Sequence, residues 1–260
     1  MLVDLHAHSY LSSGCPLDPK LVLDRAATHG LDGVAFTETN TQDGCEELFD
    51  LGKRSKLKVF VGLELNTDKG QYLCFFPKPE LAPDPVQLWG SPREKPWSAA
   101  ECLPKVKSMG AAILAARPFD RDAGVPPAGE FLKTLDLLSG VEGYNPKVRA
   151  TANDMAVEVA EAMRLPCVGG SDAKTSLDEV GRGATLFKNE IRTQQELVSA
   201  LLAGTDFWAV AVGDIPRLVK PGDREKEGKR GKGKRRGGPG GHGGGGGGDR
   251  GRRGHGRRRD

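Results

Sequence analysis

His6 and His8 stand two residues apart at the end of a short apolar run, Leu2-Val-Asp-Leu5. On an extended strand, residues i and i+2 point to the same face, so both imidazoles are presented side by side. Such a pair is a ready chelate for a divalent metal ion, and it is equally compatible with two unrelated polar residues on a strand rim. The remaining polar residues shift that balance. Glu38 follows the apolar run Gly33–Thr37, and Glu64 ends the run that begins at Lys58. Arg117 follows Ala111–Ala116, Glu142 lies within Gly140–Tyr144, and Asp172 follows Pro166–Gly169 through Gly170-Ser171. In parallel α/β folds, catalytic groups come from the C-terminal ends of several strands and converge in space. Four acidic positions and a His-x-His pair at equivalent strand ends point to a site.

These runs alternate with helical patterns, the order expected of βα units around a largely parallel sheet. Strands are expected at residues 2–5, 33–37, 58–62, 111–116, 140–144, 166–169 and 183–187. Gln71–Phe76 reads as an added strand in a hairpin. Asp18 reads as the N-cap of a helix that runs to His29 and closes at Gly30. Further helices are expected near 99–109, 128–138, 151–163 and 193–202. Pro77–Trp97 is proline-rich and aperiodic, which reads as a long loop or lid that Trp89 and Trp97 pack. Roughly seven βα units imply a closed or nearly closed barrel.

The 260-residue chain has a formal charge of +3 that hides an asymmetry. From Pro221 onward there are 14 Lys and Arg against 5 Asp and Glu, a balance of +9; Met1–Lys220 has 24 against 30, a balance of −6. Two units are therefore expected, a folded body over 1–220 and a tail over 221–260. The tail has no aliphatic or aromatic side chain, so nothing in it offsets the entropy of ordering its backbone, and disorder is expected. Five scattered cysteines with no Cys-x-x-Cys pair argue against a disulfide framework or zinc ribbon. The N-terminus lacks the basic and apolar segments of a signal peptide, and no apolar run has membrane-spanning length. A soluble, cytoplasmic protein with no membrane contact is the expectation.

Several segments, taken in order, resemble the motifs of the PHP (polymerase and histidinol phosphatase) family. They are Asp4-Leu-His-Ala-His-Ser9, Gly33-Val-Ala-Phe-Thr-Glu-Thr-Asn-Thr41, Gly62-Leu-Glu64, Ala116-Arg-Pro-Phe119, Gly169-Gly-Ser-Asp-Ala-Lys174 and Gly181-Arg-Gly-Ala-Thr185. The resemblance covers about residues 1–210. It implies a distorted (β/α)7 TIM-like barrel, up to three divalent metals at its C-terminal mouth, and phosphoester hydrolysis. It also implies that His6, His8, Glu64 and Asp172 hold one of those metals. The chain departs from the pattern at four histidine positions, where Thr39, Gln71, Arg117 and Lys174 stand instead. All four belong to the other two metals, and Arg117 and Lys174 put fixed positive charge near where those cations would sit. One retained divalent ion (zinc, manganese or magnesium) is therefore expected instead of three. Arg117, Lys174 and Glu38 are the candidate catalytic residues, Arg as a bidentate phosphate contact and Lys as a point charge. The plainer alternative is a decayed site whose basic residues only pair with Glu38, Glu64 or Asp172.

Three functions stay open on the sequence. The first is a divergent metal-dependent phosphoesterase acting on a phosphate ester or on RNA or DNA recruited by the basic tail. The second is an inactive barrel that binds nucleic acid or serves as a scaffold. The third is a sensor whose Arg117/Lys174 pocket holds an anion without turning it over.

Overall fold

A computed structural model describes residues 1–92, 96–213 and 217–218. The expected tail, 221–260, lies outside the described residues, and so does the expectation that it is disordered.

The body is a ten-stranded mixed sheet that curls into a nearly closed barrel. Its strands are β1 (Leu2–Ala7), β2 (Gly33–Thr39), β3 (Lys58–Thr67), β4 (Gly70–Phe75), β5 (Ala112–Ala116), β6 (Gly140–Tyr144), β7 (Cys167–Gly169), β8 (Gly183–Phe187), β9 (Phe207–Ala211) and β10 (Arg217–Leu218). The sheet order is β10-β9-β8-β1-β2-β3-β4-β5-β6-β7. Pairing is parallel across β1-β2-β3 and β5-β6-β7, while β4 runs antiparallel to both neighbours as the expected hairpin. Strands β8, β9 and β10 are also antiparallel to their neighbours, and this is what distorts the barrel. The barrel nearly closes where β7, one end of the sheet, meets Thr185 of β8, whose hydroxyl accepts from the Gly169 N–H (2.9 Å) and donates to the Gly169 carbonyl (3.0 Å).

Most strands are buried on both faces, and side-chain alternation splits them between layers. On β4, Leu73 and Phe75 join Val3, Leu5, Phe60 and Leu114 in one buried cluster, while Tyr72 and Cys74 join Ile113, Cys102 and Leu103 in another. Helices α1 (Pro19–Thr28), α2 (Cys45–Arg54), α3 (Pro85–Trp89), α4 (Ala99–Ser108), α5 (Ala150–Met163) and α6 (Gln194–Ala203) connect the strands. Asp18 caps α1 as expected, its side chain accepting from the Lys20 N–H.

Helix α2 and strands β9 and β10 are additions to the expected elements, and three expected elements differ from their readings. The helix expected near 128–138 is a single 3-10 run, Gly129–Thr134, because Gly129 sits at φ +51° and the chain is extended again at Leu135. The proline-rich segment is not wholly irregular. Asp84 caps the short helix α3, and Trp89 packs on Trp97 with ring centroids 5.8 Å apart. Strands β2 and β3 run further than their apolar runs, so Glu38 and Glu64 lie within strands.

Candidate metal centre

Past β1 the chain keeps pairing, now with the segment that follows β7. The His8 N–H donates to the Ala173 carbonyl (3.0 Å) and the Asp172 N–H to the His6 carbonyl (2.7 Å). That ladder sets Asp172 beside both imidazoles. It depends on Gly170, where a Cβ would stand 2.4 Å from the His6 Cβ. Asp4 locks the same junction, its buried carboxylate accepting from the backbone N–H groups of His6, Ser171 and Gly181. Burial outweighs those bonds and pushes the Asp4 pKa up to about 6. Glu64 enters from β3, directly opposite Thr39 of β2.

The result is a buried cluster in which one donor atom each from His6, His8, Glu64 and Asp172 lies within 4.8 Å of the others. His6 Nε2 is 3.4 Å from Glu64 Oε1 and 3.5 Å from Asp172 Oδ1. His8 Nε2 is 3.3 Å from Asp172 Oδ1 and 3.8 Å from Glu64 Oε2. These spacings are too long for good hydrogen bonds. They match the edge of a tetrahedral shell, since donors about 2.1 Å from a common ion are about 3.4 Å apart.

Neighbouring bonds fix the imidazoles. His6 Nδ1 lies 2.9 Å from Glu142 Oε1, and a carboxylate can only accept, so Nδ1 carries the proton. Ser12 Oγ gives its single proton to Glu38 and accepts from the Thr39 N–H, so His8 Nδ1, 3.1 Å away, must also donate to it. Both rings therefore present Nε2 to the cluster, as metal-ligating histidines do when a second group holds the other nitrogen. Among the described residues, His6 Nε2, His8 Nε2 and Glu64 Oε1 are buried with no hydrogen-bond partner. Leaving such atoms unmatched costs about 1–3 kcal/mol each. Donor type and spacing therefore fit one divalent cation.

The structure brings the other candidates to this cluster in different ways. Glu38 does not join the donors. Its neighbour Thr39 shares the face of Glu64, so period-two alternation turns Glu38 away. The Glu38 carboxylate accepts from the Ser9 N–H and hydroxyl and from Ser12. Arg117 donates to Asp172 Oδ2 and to Gln71 Oε1, both at 2.6 Å, and lies 3.6 Å from Glu64. Lys174 Nζ donates to Thr39 Oγ1 at 3.0 Å, and Thr39 donates onward to Glu64 Oε2 at 2.7 Å. The four positions that depart from the histidine pattern thus form two bonded pairs, Arg117–Gln71 and Lys174–Thr39, on the flanks of the cluster. Asn40, Arg117 and Asp172 hold left-handed backbone at φ +56°, +42° and +49°. Such conformations cost non-glycine residues on the order of 1 kcal/mol or more and concentrate at functional sites.

Sequence reasoning misses three residues here: Ser12, Asn145 and Lys147. Lys147 lies just past the end of β6, the kind of position where such groups gather, but a lysine beside a proline in a loop carries no signal of its own. A separate cavity of about 1000 Å³, lined by Gln42, Glu46, Glu47, Phe49 and Pro79 among others, shares no residue with the cluster.

Burial alone would lower the His6 pKa. The charges of Glu142 and Asp172 outweigh it and hold the ring up at about 10. Burial would raise Glu64, but His6, His8 and Arg117 pull it down to about 2, and His6 and Arg117 likewise hold Asp172 well below the carboxylate range. A raised folded-state pKa gives His6 a stabilising contribution in the metal-free protein. That contribution is complete below the ordinary value of 6.5 and is lost as pH rises through about 10. Chelator-stripped protein should therefore lose about 1.4 kcal/mol per pH unit across the alkaline part of that window. Metal-loaded protein, with Nε2 already unprotonated, should not. Paired melting curves between pH 7 and 9 check this, and parallel pH dependences would contradict it.

Residues 4–116 match the PHP domain family and residues 150–205 the PHP-associated family. An uncharacterised protein of Methanocaldococcus jannaschii is 26% identical over 155 residues, which span 56% of this chain and 82% of that protein. A two-domain protein from Bacteroides vulgatus, containing a predicted PHP-like metal-dependent phosphoesterase, superposes with a TM-score of 0.63 at 16% identity. The match covers 80% of this chain and 64% of that one. Endonuclease Q, in complex with a 27-mer duplex carrying an abasic lesion, gives 0.60 at 17% identity over 80% of this chain and 58% of its own. The chain spans less than two thirds of the length of either structure, and at these identities the likeness is one of fold. No helix among the described residues is long and apolar enough to cross a membrane.

Proposed function

The chain carries a PHP domain and a PHP-associated segment, and from that premise we propose that it is a divergent metal-dependent phosphoesterase built around one divalent cation instead of three. The observation that carries this reading is the set of buried, partnerless donor atoms on His6, His8 and Glu64, facing Asp172 at metal-shell spacing. A cation held there supplies Lewis-acid polarisation of a phosphoryl oxygen and activation of water.

The protein's own residues do the rest. Glu142 and the Ser12–Glu38 pair hold the two imidazoles with Nε2 inward, which makes Glu38 a positioning residue. Arg117 is assigned the work of a lost cation. Its guanidinium pairs with Asp172 and lies near Glu64, which puts a fixed positive charge at the flank of the centre, although Asp172 and Gln71 already take both terminal nitrogens. Lys174, whose Nζ among the described residues bonds only Thr39, has donors left for a substrate oxygen. The basic tail raises the local concentration of a nucleic-acid substrate through its charge.

The test is hydrolysis of bis(p-nitrophenyl) phosphate by the full chain loaded with manganese or zinc. Turnover that chelator abolishes and re-added metal restores is expected. A metal-loaded protein with no turnover on this diester or on a matching monoester would overturn the enzymatic reading in favour of a non-catalytic barrel.

A further inference from the structure

We infer that Lys147, a residue of the β6–α5 loop, is the oxyanion-receiving group at the rim of the metal centre, where it takes a non-bridging oxygen of a phosphoryl group. The inference rests on the phosphoesterase reading above and names the side chain that meets the substrate's charge.

Lys147 Nζ donates to the Asp172 backbone carbonyl at 2.9 Å and lies 3.5 Å from Asp172 Oδ2. It is thus a fixed cation directly against a residue of the donor cluster. An ammonium has three donors, and among the described residues it makes one hydrogen bond. Its side chain is 31% exposed, whereas that of Arg117 is 11% exposed and has both terminal nitrogens engaged. Arg117 keeps a partnerless Nε, but that atom is buried, so of these two cations beside Asp172 it is the more exposed Lys147 whose spare donors an incoming anion can reach.

The loop that carries it is built to hold it there. Asn145 is fully buried. Its N–H donates to Asn153 Oδ1, its carbonyl accepts from Asn153 Nδ2, and its own Oδ1 accepts from the Lys147 N–H at 3.0 Å. The same Asn145 donates through Nδ2 to Glu142 Oε1, the oxygen that orients His6. One buried amide therefore fixes both the ring that faces the cluster and the backbone from which Lys147 reaches over it. On the far side, Glu179 accepts from the Lys174 N–H at 2.9 Å and stands 3.7 Å from Lys147 Nζ. That carboxylate holds the backbone of Lys174 and faces the ammonium of Lys147. A phosphoryl oxygen arriving at Lys147 gains a charge-assisted bond without displacing a donor of the cluster.

The experiment is calorimetric titration of inorganic phosphate into the metal-loaded full chain, as wild type, Lys147→Gln and Lys147→Arg, with metal content measured on each. The tail charge is the same in all three, so differences report on position 147. Lys147→Gln should keep its metal and bind phosphate roughly ten- to a hundredfold more weakly, the loss of one charge-assisted hydrogen bond. Lys147→Arg should recover most of the affinity. Unchanged phosphate affinity in a metal-replete Lys147→Gln protein would overturn the inference and leave the metal reading intact. Loss of metal from Lys147→Gln would also overturn it, making Lys147 a strut for the Asp172 backbone. Wild-type protein that cannot be loaded with metal would instead remove the phosphoesterase reading on which the inference stands.

Discussion

Asp172→Ala should strip the protein of metal and destabilise it by about 3–5 kcal/mol, the usual cost of breaking a buried ion pair from one side. Two effects combine at this residue. Its Oδ1 is one of the four converging donors, and two histidines with one carboxylate hold a divalent ion far less tightly than the full set. Its Oδ2 takes the 2.6 Å bond from Arg117, whose nearly buried guanidinium would be left with Gln71 and the more distant Glu64 and Asp120. Alanine also tolerates the φ of +49° at this position worse than aspartate does. Asp172→Asn keeps the backbone preference and an acceptor for Arg117, so it should lose metal with a smaller loss of stability. Thr39→Ala, outside the donor set, should retain metal. Elemental analysis together with urea unfolding reads all three variants. Undiminished metal content in Asp172→Ala would remove this residue from the centre.

Truncation after Lys220 should remove nearly all affinity for single-stranded nucleic acid. The body carries a balance of −6 and the removed segment +9, so the long-range attraction belongs to the segment. Each phosphate neutralised on a single strand contributes about −0.7 to the slope of log affinity against log salt. On the order of six contacts would give a slope of about −4 by that rule. With no aromatic side chain in the segment, neither base stacking nor sequence preference is expected. A salt titration of oligonucleotide binding, full-length beside truncated protein, decides this. Equal affinity in both would move the nucleic-acid contact onto the barrel.

Much of the scaffold is legible in the sequence because most strands are short β-prone runs with clear punctuation. Gly140–Tyr144 and Gly183–Phe187 appear in the structure with the bounds that the residues imply. The His-x-His pair and Asp172 are legible for the same reason, since strand ends are where such groups converge. Other elements leave weaker traces. Helix α2 does carry an apolar stripe, Cys45, Leu48 and Phe49, but it is short, fully buries only Leu48 and has Gly52 in its interior. Strand β9 exposes Trp208 while burying Phe207, a pattern set by its pairing with β8 and not by its own composition. The run near Ala128 has helical spacing, but the left-handed Gly129 interrupts it. Within the site, residue type says what Glu38, Arg117 and Lys174 can do but not what they touch. Alternation along β2 sends Glu38 to Ser9 and Ser12, and the pairings Arg117–Gln71 and Lys174–Thr39 join residues far apart in sequence. Lys147 is hidden for the same reason, because its partner Asp172 arrives only when the sheet closes.

The central claim is that His6, His8, Glu64 and Asp172 form one divalent-metal site while fixed basic side chains stand where other members of the pattern hold further ions. The most direct test is elemental analysis of the full chain, purified without chelator and then dialysed against metal-free buffer. One equivalent of a divalent transition metal per chain, reduced to none in His6→Ala, is the predicted result. Two or three equivalents would show that Arg117 and Lys174 do not replace cations, and no metal in wild type or after reloading would contradict the account outright.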